Sequence, residues 1–284
     1  MKIMTMNTHS LIETGFRQKR EWFAQVILRE RPEILALQEV NQTMAAPVLD
    51  AGAVGGYRPC PKVEVPLKED NYAAWLAERL AGEGLAYTWT WLPMKVGYDR
   101  YDEGMALFSL LPVAEAESFR ISQADDYSNW KTRKVLGIRT GEPQASWYYT
   151  VHMGWWDDGE EPFDRQWKIL NEYLDEKKAG GARVWLMGDF NSPSQVRGQG
   201  YDRVTGDGWL DSYELAERKD SGVTVGHVID GWRERPSGEE VQKGMRLDYL
   251  FTSKPVRVLS SRAVCNGDRE PQVSDHYGVM IETV

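Results

Sequence analysis

Apolar positions along the chain recur with two periods. From Phe16 to Arg31 they fall as on an amphipathic helix. Trp22, Phe23, Val26 and Ile27 share one face, polar residues fill the back, and Pro32 stops the run. The same spacing predicts a helix from Asn71 to Leu80, with Ala73, Leu76, Ala77 and Leu80 on one side. A third helix is expected from Pro162 to Lys178, using Trp167, Leu170 and Leu174 and ended by Gly180-Gly181. Between them, short apolar or alternating runs predict strands: residues 2–8, Glu33 to Glu39, Tyr87 to Trp91, Gly104 to Leu111 and Lys134 to Arg139. Ser146 to His152, Val184 to Asp189, Arg246 to Thr252 and Tyr277 to Ile281 complete the set. Glu33 to Glu39 and Val184 to Asp189 are nearly continuous in apolar residues, which suits strands covered on both faces. Residues 50–70, Met94 to Asp102, 120–133 and a long stretch ending at Gly244 read as loops, with a Gly-Glu-Pro turn after Arg139. No repeat or linker interrupts the pattern. It predicts one domain over 1–284, an α/β architecture of two packed sheets with helices outside.

Composition narrows the function. Net charge is −9, and the densest basic stretch, Arg17 to Arg20, opens a helix and reads as a solvated face. That balance argues against a grip on a long polyanion, and so against a nucleic-acid partner. No apolar run is long enough to span a bilayer, so no membrane partner is expected. The opening MKIMTMNTHS reads as a strand rather than a secretory segment, which leads to a cytoplasmic expectation. Cys60 and Cys265 lack zinc spacing and are expected as free, inert thiols. Oligomeric state stays open.

Several strands finish in residues that carry chemistry. Met6-Asn7-Thr8 closes the first, Leu37-Gln38-Glu39-Val40 the second and Gly188-Asp189-Phe190-Asn191 a later one, while Ser274-Asp275-His276 opens the last. Convergent strand ends make a rigid polar cluster. Hard oxygen donors of this kind suit Mg²⁺, with Mn²⁺ as the alternative.

These ordered segments resemble the endonuclease/exonuclease/phosphatase superfamily, the DNase I-like fold, over nearly the whole chain. The resemblance implies a four-layer α/β sandwich of two mixed β-sheets flanked by helices. It also implies a divalent metal and hydrolysis of a phosphate ester by in-line attack of water. Glu39 is then the foremost metal ligand, with Asn7 offering an amide oxygen and Asp275 a second carboxylate. Asp189 and Asn191, two apart, would face one side of an extended segment, one activating water and the other orienting phosphate. The family pattern pairs a carboxylate with each histidine, giving Glu103 to His152 and Asp248 to His276. Each carboxylate would raise its imidazole's pKa, so that two imidazolium groups meet the phosphate. His9 and His227 read as structural.

The loops bear on the substrate. Aromatics beside Asp, Asn and Arg occur in Lys95 to Tyr101, in Asp125 to Lys131, and between Val196 and Arg233. Flat rings next to hydrogen-bonding groups suit a sugar, although any one of them is as readily explained by loop packing. Asn7-Thr8-His9-Ser10, Arg197 to Asp202 and Ile229-Asp-Gly-Trp232 resemble the bacterial maltose-6'-phosphate phosphatase branch. The candidate substrate contacts are Trp155, Tyr201, Asp230, Trp232 and Arg246. The expected substrate is a small phosphomonoester, such as a sugar phosphate. A DNase I-like or abasic-site nuclease is the alternative, and it would need a basic surface beside the site.

Overall fold

The computed structural model describes residues 1–141, 145–227, 229, 232 and 244–284. In chain order its elements are β1 (Lys2–Asn7), α1 (Phe16–Glu30), β2 (Ile34–Thr43), α2 (Tyr72–Ala81), β3 (Thr88–Gly97), β4 (Tyr101–Ser109), β5 (Val113–Arg120), β6 (Lys134–Thr140) and β7 (Ser146–His152). They continue with α3 (Phe163–Ala179), β8 (Arg183–Asp189), α4 (Gly200–Gly206), β9 (Leu210–Asp211), α5 (Ser212–Leu215), β10 (Ala216–Lys219), β11 (Asp248–Thr252), β12 (Val258–Val264) and β13 (Gly278–Thr283).

The strands form two mixed sheets, ordered β10-β12-β13-β1-β2-β4-β3 and β5-β6-β7-β8-β11-β9. Alternation along each strand explains how they stack. Ile3, Ile34, Ala36 and Leu107 of the first sheet meet Leu136, Tyr148, Trp185, Met187 and Leu250 of the second in one buried layer. Their sequence neighbours Met4, Leu35 and Leu37 point the other way, onto Phe23, Val26 and Ile27 of α1 and Ala73 and Leu76 of α2. On the far side Tyr149, Val151 and Leu186 pack against Trp167, Leu170 and Leu174 of α3. The result is a helix–sheet–sheet–helix sandwich, as expected. Both cysteines are free and buried. Among the described residues, no helix is long and apolar enough to cross a membrane.

Some elements differ from the sequence reading. The expected loop over Met94 to Asp102 is mostly hairpin: β3 runs to Gly97, β4 starts at Tyr101, and only Tyr98 to Arg100 turn. Pro93 and the mixed residues after it masked the strand; the register shifts between Pro93 and Lys95 to accommodate them. β5 was not anticipated because, at a sheet edge, its apolar face is short and most of its residues stay half-exposed. β9, β10, β12, α4 and α5 were missed as well; all five are seven residues or fewer and are held by tertiary contacts. Glu142 and Pro143 of the expected turn lie outside the described residues.

Candidate active site

Three strands of the second sheet end at one level. His152 of β7 stands beside Asp189 of β8, and Asp248 of β11 faces Asp189 on its other side. From the first sheet, Asn7 ends β1 next to Gln38 of β2. The Asn7 Nδ2 amide spans the gap between sheets, donating to Glu39 Oε1 at 2.9 Å and to Asp189 Oδ2 at 3.2 Å.

Two backbone devices set this geometry. The β2–β4 register shifts between Leu37 and Val40, and Glu39, inside that shift, has a left-handed φ of 52°. The bulge breaks the alternation and turns the carboxylate into the cavity. At the end of β8, Gly188 has φ 139°, and a Cβ there would lie 2.1 Å from the Val151 carbonyl oxygen. Only glycine lets β7 and β8 approach so closely just before Asp189.

The side chains converge on a cavity of about 230 Å³. Its lining includes Glu39, Glu103, His152, Asp189, Asn191, Asp275 and His276, all expected, with Lys95 and Tyr98 of the first aromatic loop, Trp130 of the second and Ile229 of the third, and also His9 and Arg133, which were not expected there. Of the expected substrate contacts, Trp155 lines the cavity, with its ring 5.7 Å from that of Trp130. Asn7 and Asp248 lie directly behind it.

His276 Nδ1 is 2.9 Å from Asp248 Oδ2, and its Nε2 is 3.7 Å from Asp189 Oδ2. Burial opposes a charge on this ring, but Asp248 and Asp189 outweigh it and hold the imidazolium well above its usual pKa. The expected Asp248–His276 pair is therefore present as geometry. The expected Glu103–His152 pair is not. Glu103 Oε1 lies 3.1 Å from Lys95 Nζ, since strand register sets Lys95 opposite Glu103. His152 instead turns Nε2 toward Asp189 Oδ2 at 3.6 Å, and its buried Nδ1 finds no hydrogen-bond partner. Burial, then the nearby Arg133, Lys95 and His276 charges, push its pKa well below the ordinary value. Of these two rings, the surroundings favour the charged form of His276 and the neutral form of His152, so they are not a matched pair of imidazoliums.

Asp189 is 1 % exposed. Burial raises its pKa, His276 counters, and Asp248 adds to the rise. Its Oδ1 accepts the Asn191 backbone N–H at 2.8 Å. That contact needs a bend, and Asn191 has φ 46°, so the two residues do not share the extended segment expected of them. The Asn191 amide is fixed separately: Nδ2 donates to the Met153 carbonyl at 3.0 Å, and Oδ1 accepts the Trp232 indole N–H at 3.2 Å.

The remaining substrate candidates fall elsewhere. Trp232 is buried against Val225, Met245 and Leu247, so it positions Asn191 rather than forming an open wall. Arg246 and Tyr201 do not line the cavity. Both bond Asp211 Oδ2, at 2.5 and 2.9 Å, and Arg246 lies over the rings of Tyr201, Tyr213 and Tyr249. A buried carboxylate and three rings claim this arginine for packing. Asp230 lies outside the described residues.

His9 departs from its structural reading. It lines the cavity, with Nδ1 2.8 Å from Glu13 Oε1 and Nε2 3.3 Å from the Tyr98 hydroxyl. Burial opposes its charge, yet Glu13, Glu39 and Asp275 raise its pKa to about 9. The signal for it lay in its place two residues after Asn7. His227 is exposed and away from the cavity.

The donor set fits a hard divalent cation. Burial raises the Glu39 pKa, Glu103 and Asp275 raise it further and His9 counters them, so a bound cation would suit this carboxylate group. His9, Glu13 and Asp275 bring ligand atoms within 4.8 Å of one another, as do Asp189, Asp248 and His276. Asn7 differs from expectation: its nitrogen, not its oxygen, faces Glu39 and Asp189, because two carboxylates attract the donor end of the amide.

Residues 4–276 match the Endonuclease/Exonuclease/phosphatase family. The chain is similar to an endonuclease/exonuclease/phosphatase family protein from Leptotrichia buccalis C-1013-b, with TM-score 0.85 and 26% identity over 100% of this chain and 99% of that one. It is similar in fold to a mannosyl-6-phosphatase from Bacteroides thetaiotaomicron VPI-5482, with TM-score 0.67 and 14% identity over 100% and 99% of the chains. Truncated TDP2 from Caenorhabditis elegans shares the fold at TM-score 0.62 and 17% identity, over 99% and 96%. No curated protein sequence matches the chain.

Proposed function

The chain belongs to the endonuclease/exonuclease/phosphatase family, and from that premise we propose that it is a metal-dependent phosphatase acting on a small phosphomonoester, a sugar phosphate in the first instance. The observation that carries this reading is the cavity itself. It is small, its floor holds Asp189 between two histidines, and its mouth is framed by Tyr98, Trp130 and Trp155. Tyr98 and Trp130 are 54% and 49% exposed, so part of each ring can meet a substrate at the entrance. The mannosyl-6-phosphatase of the same fold supports a phosphatase of this type.

Each side chain has a task in such a reaction. Glu39 and Asp275 hold the divalent cation, with Asn7 tying Glu39 to Asp189. A bound cation supplies Lewis-acid polarisation of the phosphoryl oxygens and charge neutralisation. Asp189, its basicity raised by burial, accepts the proton of the attacking water. The ester oxygen leaves opposite the entering water and takes a proton from solvent at the cavity mouth to become the sugar hydroxyl; Asp189 releases the water's proton to solvent, and inorganic phosphate remains. His276, kept charged by Asp248, donates to a phosphoryl oxygen as charge builds. His152, neutral and beside Asp189, accepts or donates a hydrogen bond without adding charge. Asn191, clamped by Met153 and Trp232, orients the phosphate.

A substrate panel tests the proposal: hexose and disaccharide phosphates, nucleotides, a bis-aryl phosphodiester and abasic DNA, each with and without Mg²⁺. Metal-dependent release of phosphate from a sugar phosphate is expected. Faster cleavage of abasic DNA than of any sugar phosphate would replace this reading with a nuclease.

A further inference from the structure

Two buried cations inside the cavity have no part in the scheme above. Lys95 comes from β3 and is 7% exposed; Arg133 lies just before β6 and is 2% exposed. Both line the same cavity as Asp189 and His152.

Arg133 is built in. Its backbone N–H donates to Ser122 Oγ at 2.9 Å, and its carbonyl accepts the N–H groups of Ile121 and Ser122. Its Nη1 donates to the carbonyls of Trp130, at 2.8 Å, and Thr132, at 3.2 Å. Its Nε is buried and, among the described residues, has no hydrogen-bond acceptor. Among the described residues no carboxylate forms an ion pair with it. A buried guanidinium with an unspent donor is costly unless a ligand completes it. Among the described residues Lys95 forms an ion pair with Glu103 alone, leaving two ammonium donors for another acceptor.

We infer that Lys95 and Arg133 form an anion subsite that takes the non-bridging oxygens of a terminal phosphate monoester, the same group that leaves as inorganic phosphate. This rests on the phosphatase reading of the cavity and narrows it by charge. A monoester carries close to two negative charges near neutral pH, whereas a diester carries one. His276 meets the phosphate from the acid-rich side, where Glu39 and Asp275 would hold a cation, and two more cations on a second wall favour the dianion. A diester would also bring a second carbon substituent toward that wall, where an apolar group would cover the unspent guanidinium donor. Trp130 links subsite to entrance, because its backbone carbonyl fixes Arg133 while its ring lines the cavity.

The test is binding, independent of turnover. Inorganic phosphate and dimethyl phosphate are titrated calorimetrically into the full-length protein loaded with Mg²⁺. The wild type should hold phosphate at least about tenfold tighter than dimethyl phosphate. Arg133→Gln, and separately the charge-balanced double variant Lys95→Gln/Glu103→Gln, should each weaken phosphate about tenfold or more and leave dimethyl phosphate within about threefold. Arg133→Lys, which keeps the charge but loses the planar fork, replaces Arg133→Gln if that variant does not melt cooperatively. No preference in the wild type, or a preference untouched in folded variants, overturns the subsite. A wild type that binds phosphate through these residues yet hydrolyses no ester upholds the subsite and overturns the phosphatase reading. Turnover of sugar phosphates by variants that bind phosphate normally does the reverse.

Discussion

At Asp189 three donors compete for one carboxylate. Asn7 Nδ2 stands 3.2 Å from Oδ2, with His152 and His276 slightly further off. Glu39 sits on the far side of that amide. Removing its charge while keeping its shape, as in Glu39→Gln, is expected to weaken Mg²⁺ binding by about a hundredfold and to lower activity in step at limiting metal. Calorimetric metal titration reads it, and unchanged affinity would take Glu39 out of the metal set. Asp248 acts on the other arm. His276 stays protonated above the usual imidazole range because Asp248 and Asp189 outweigh burial. Asp248→Asn should therefore lower the His276 pKa and shift the alkaline limb of kcat/KM to lower pH by about one unit or more. The stability sign follows the same logic. A pKa raised on folding contributes stability that is complete below the unfolded value near 6.5 and is lost as pH rises through the folded value. The destabilisation caused by Asp248→Asn should accordingly be larger at pH 6 than at pH 10, by urea titration, and a pH-independent loss would refute the charge argument.

Elements place these residues through strand ends, bulges and one close approach. Gly188 is the sharpest case. An added Cβ would sit 2.1 Å from the Val151 carbonyl oxygen, with the Gln38 amide also near at 3.0 Å. Gly188→Ala should cost about 2–4 kcal/mol in denaturant unfolding and displace Asp189 relative to His152. A loss under about 0.5 kcal/mol would show that β7 and β8 can part without harm. The position of Asp189 was readable because an apolar run, Val184 to Met187, leads straight into it. The partner of Glu103 was not. That depended on a β3–β4 register passing an irregularity at Pro93, and one such shift decides whether Lys95 or His152 stands nearest. Arg246 and Tyr201 failed as substrate contacts for a related reason. Sequence shows an arginine beside tyrosines, but only the fold shows that Asp211 on the short strand β9 already binds both. His9 sat in the Asn7-Thr8-His9-Ser10 segment next to a site residue, whereas Arg133 carried no motif of its own, so its place in the cavity emerged only from the packing of chain segments around it.

Across the whole molecule, charge separates a small-substrate site from a polymer groove. The chain carries 43 acidic against 34 basic side chains, for a net charge of −9. Many basic groups are already committed: Arg29 and Arg262 to Glu270, Lys177 to Glu117, Arg257 to Glu217 and Arg246 to Asp211. Lys95 and Arg133 are sunk within the cavity, out of reach of a duplex surface. A protein that neutralises six to ten DNA phosphates loses roughly 10³–10⁵ in affinity between about 50 and about 200 mM salt. Here the change should be less than about tenfold, because the net charge is −9 and the two cations of the cavity wall are buried away from a duplex surface. Fluorescence anisotropy of a labelled duplex with the Mg²⁺-loaded protein across that salt range measures it. Meanwhile kcat/KM for a sugar phosphate should vary only modestly over the same range, since its charge is met at short distance inside the cavity, where screening is weak. A steep DNA salt slope beside a flat sugar-phosphate profile would reveal a polymer-binding face separate from the cavity, and steep slopes for both would mean that long-range attraction, not the buried site, governs capture.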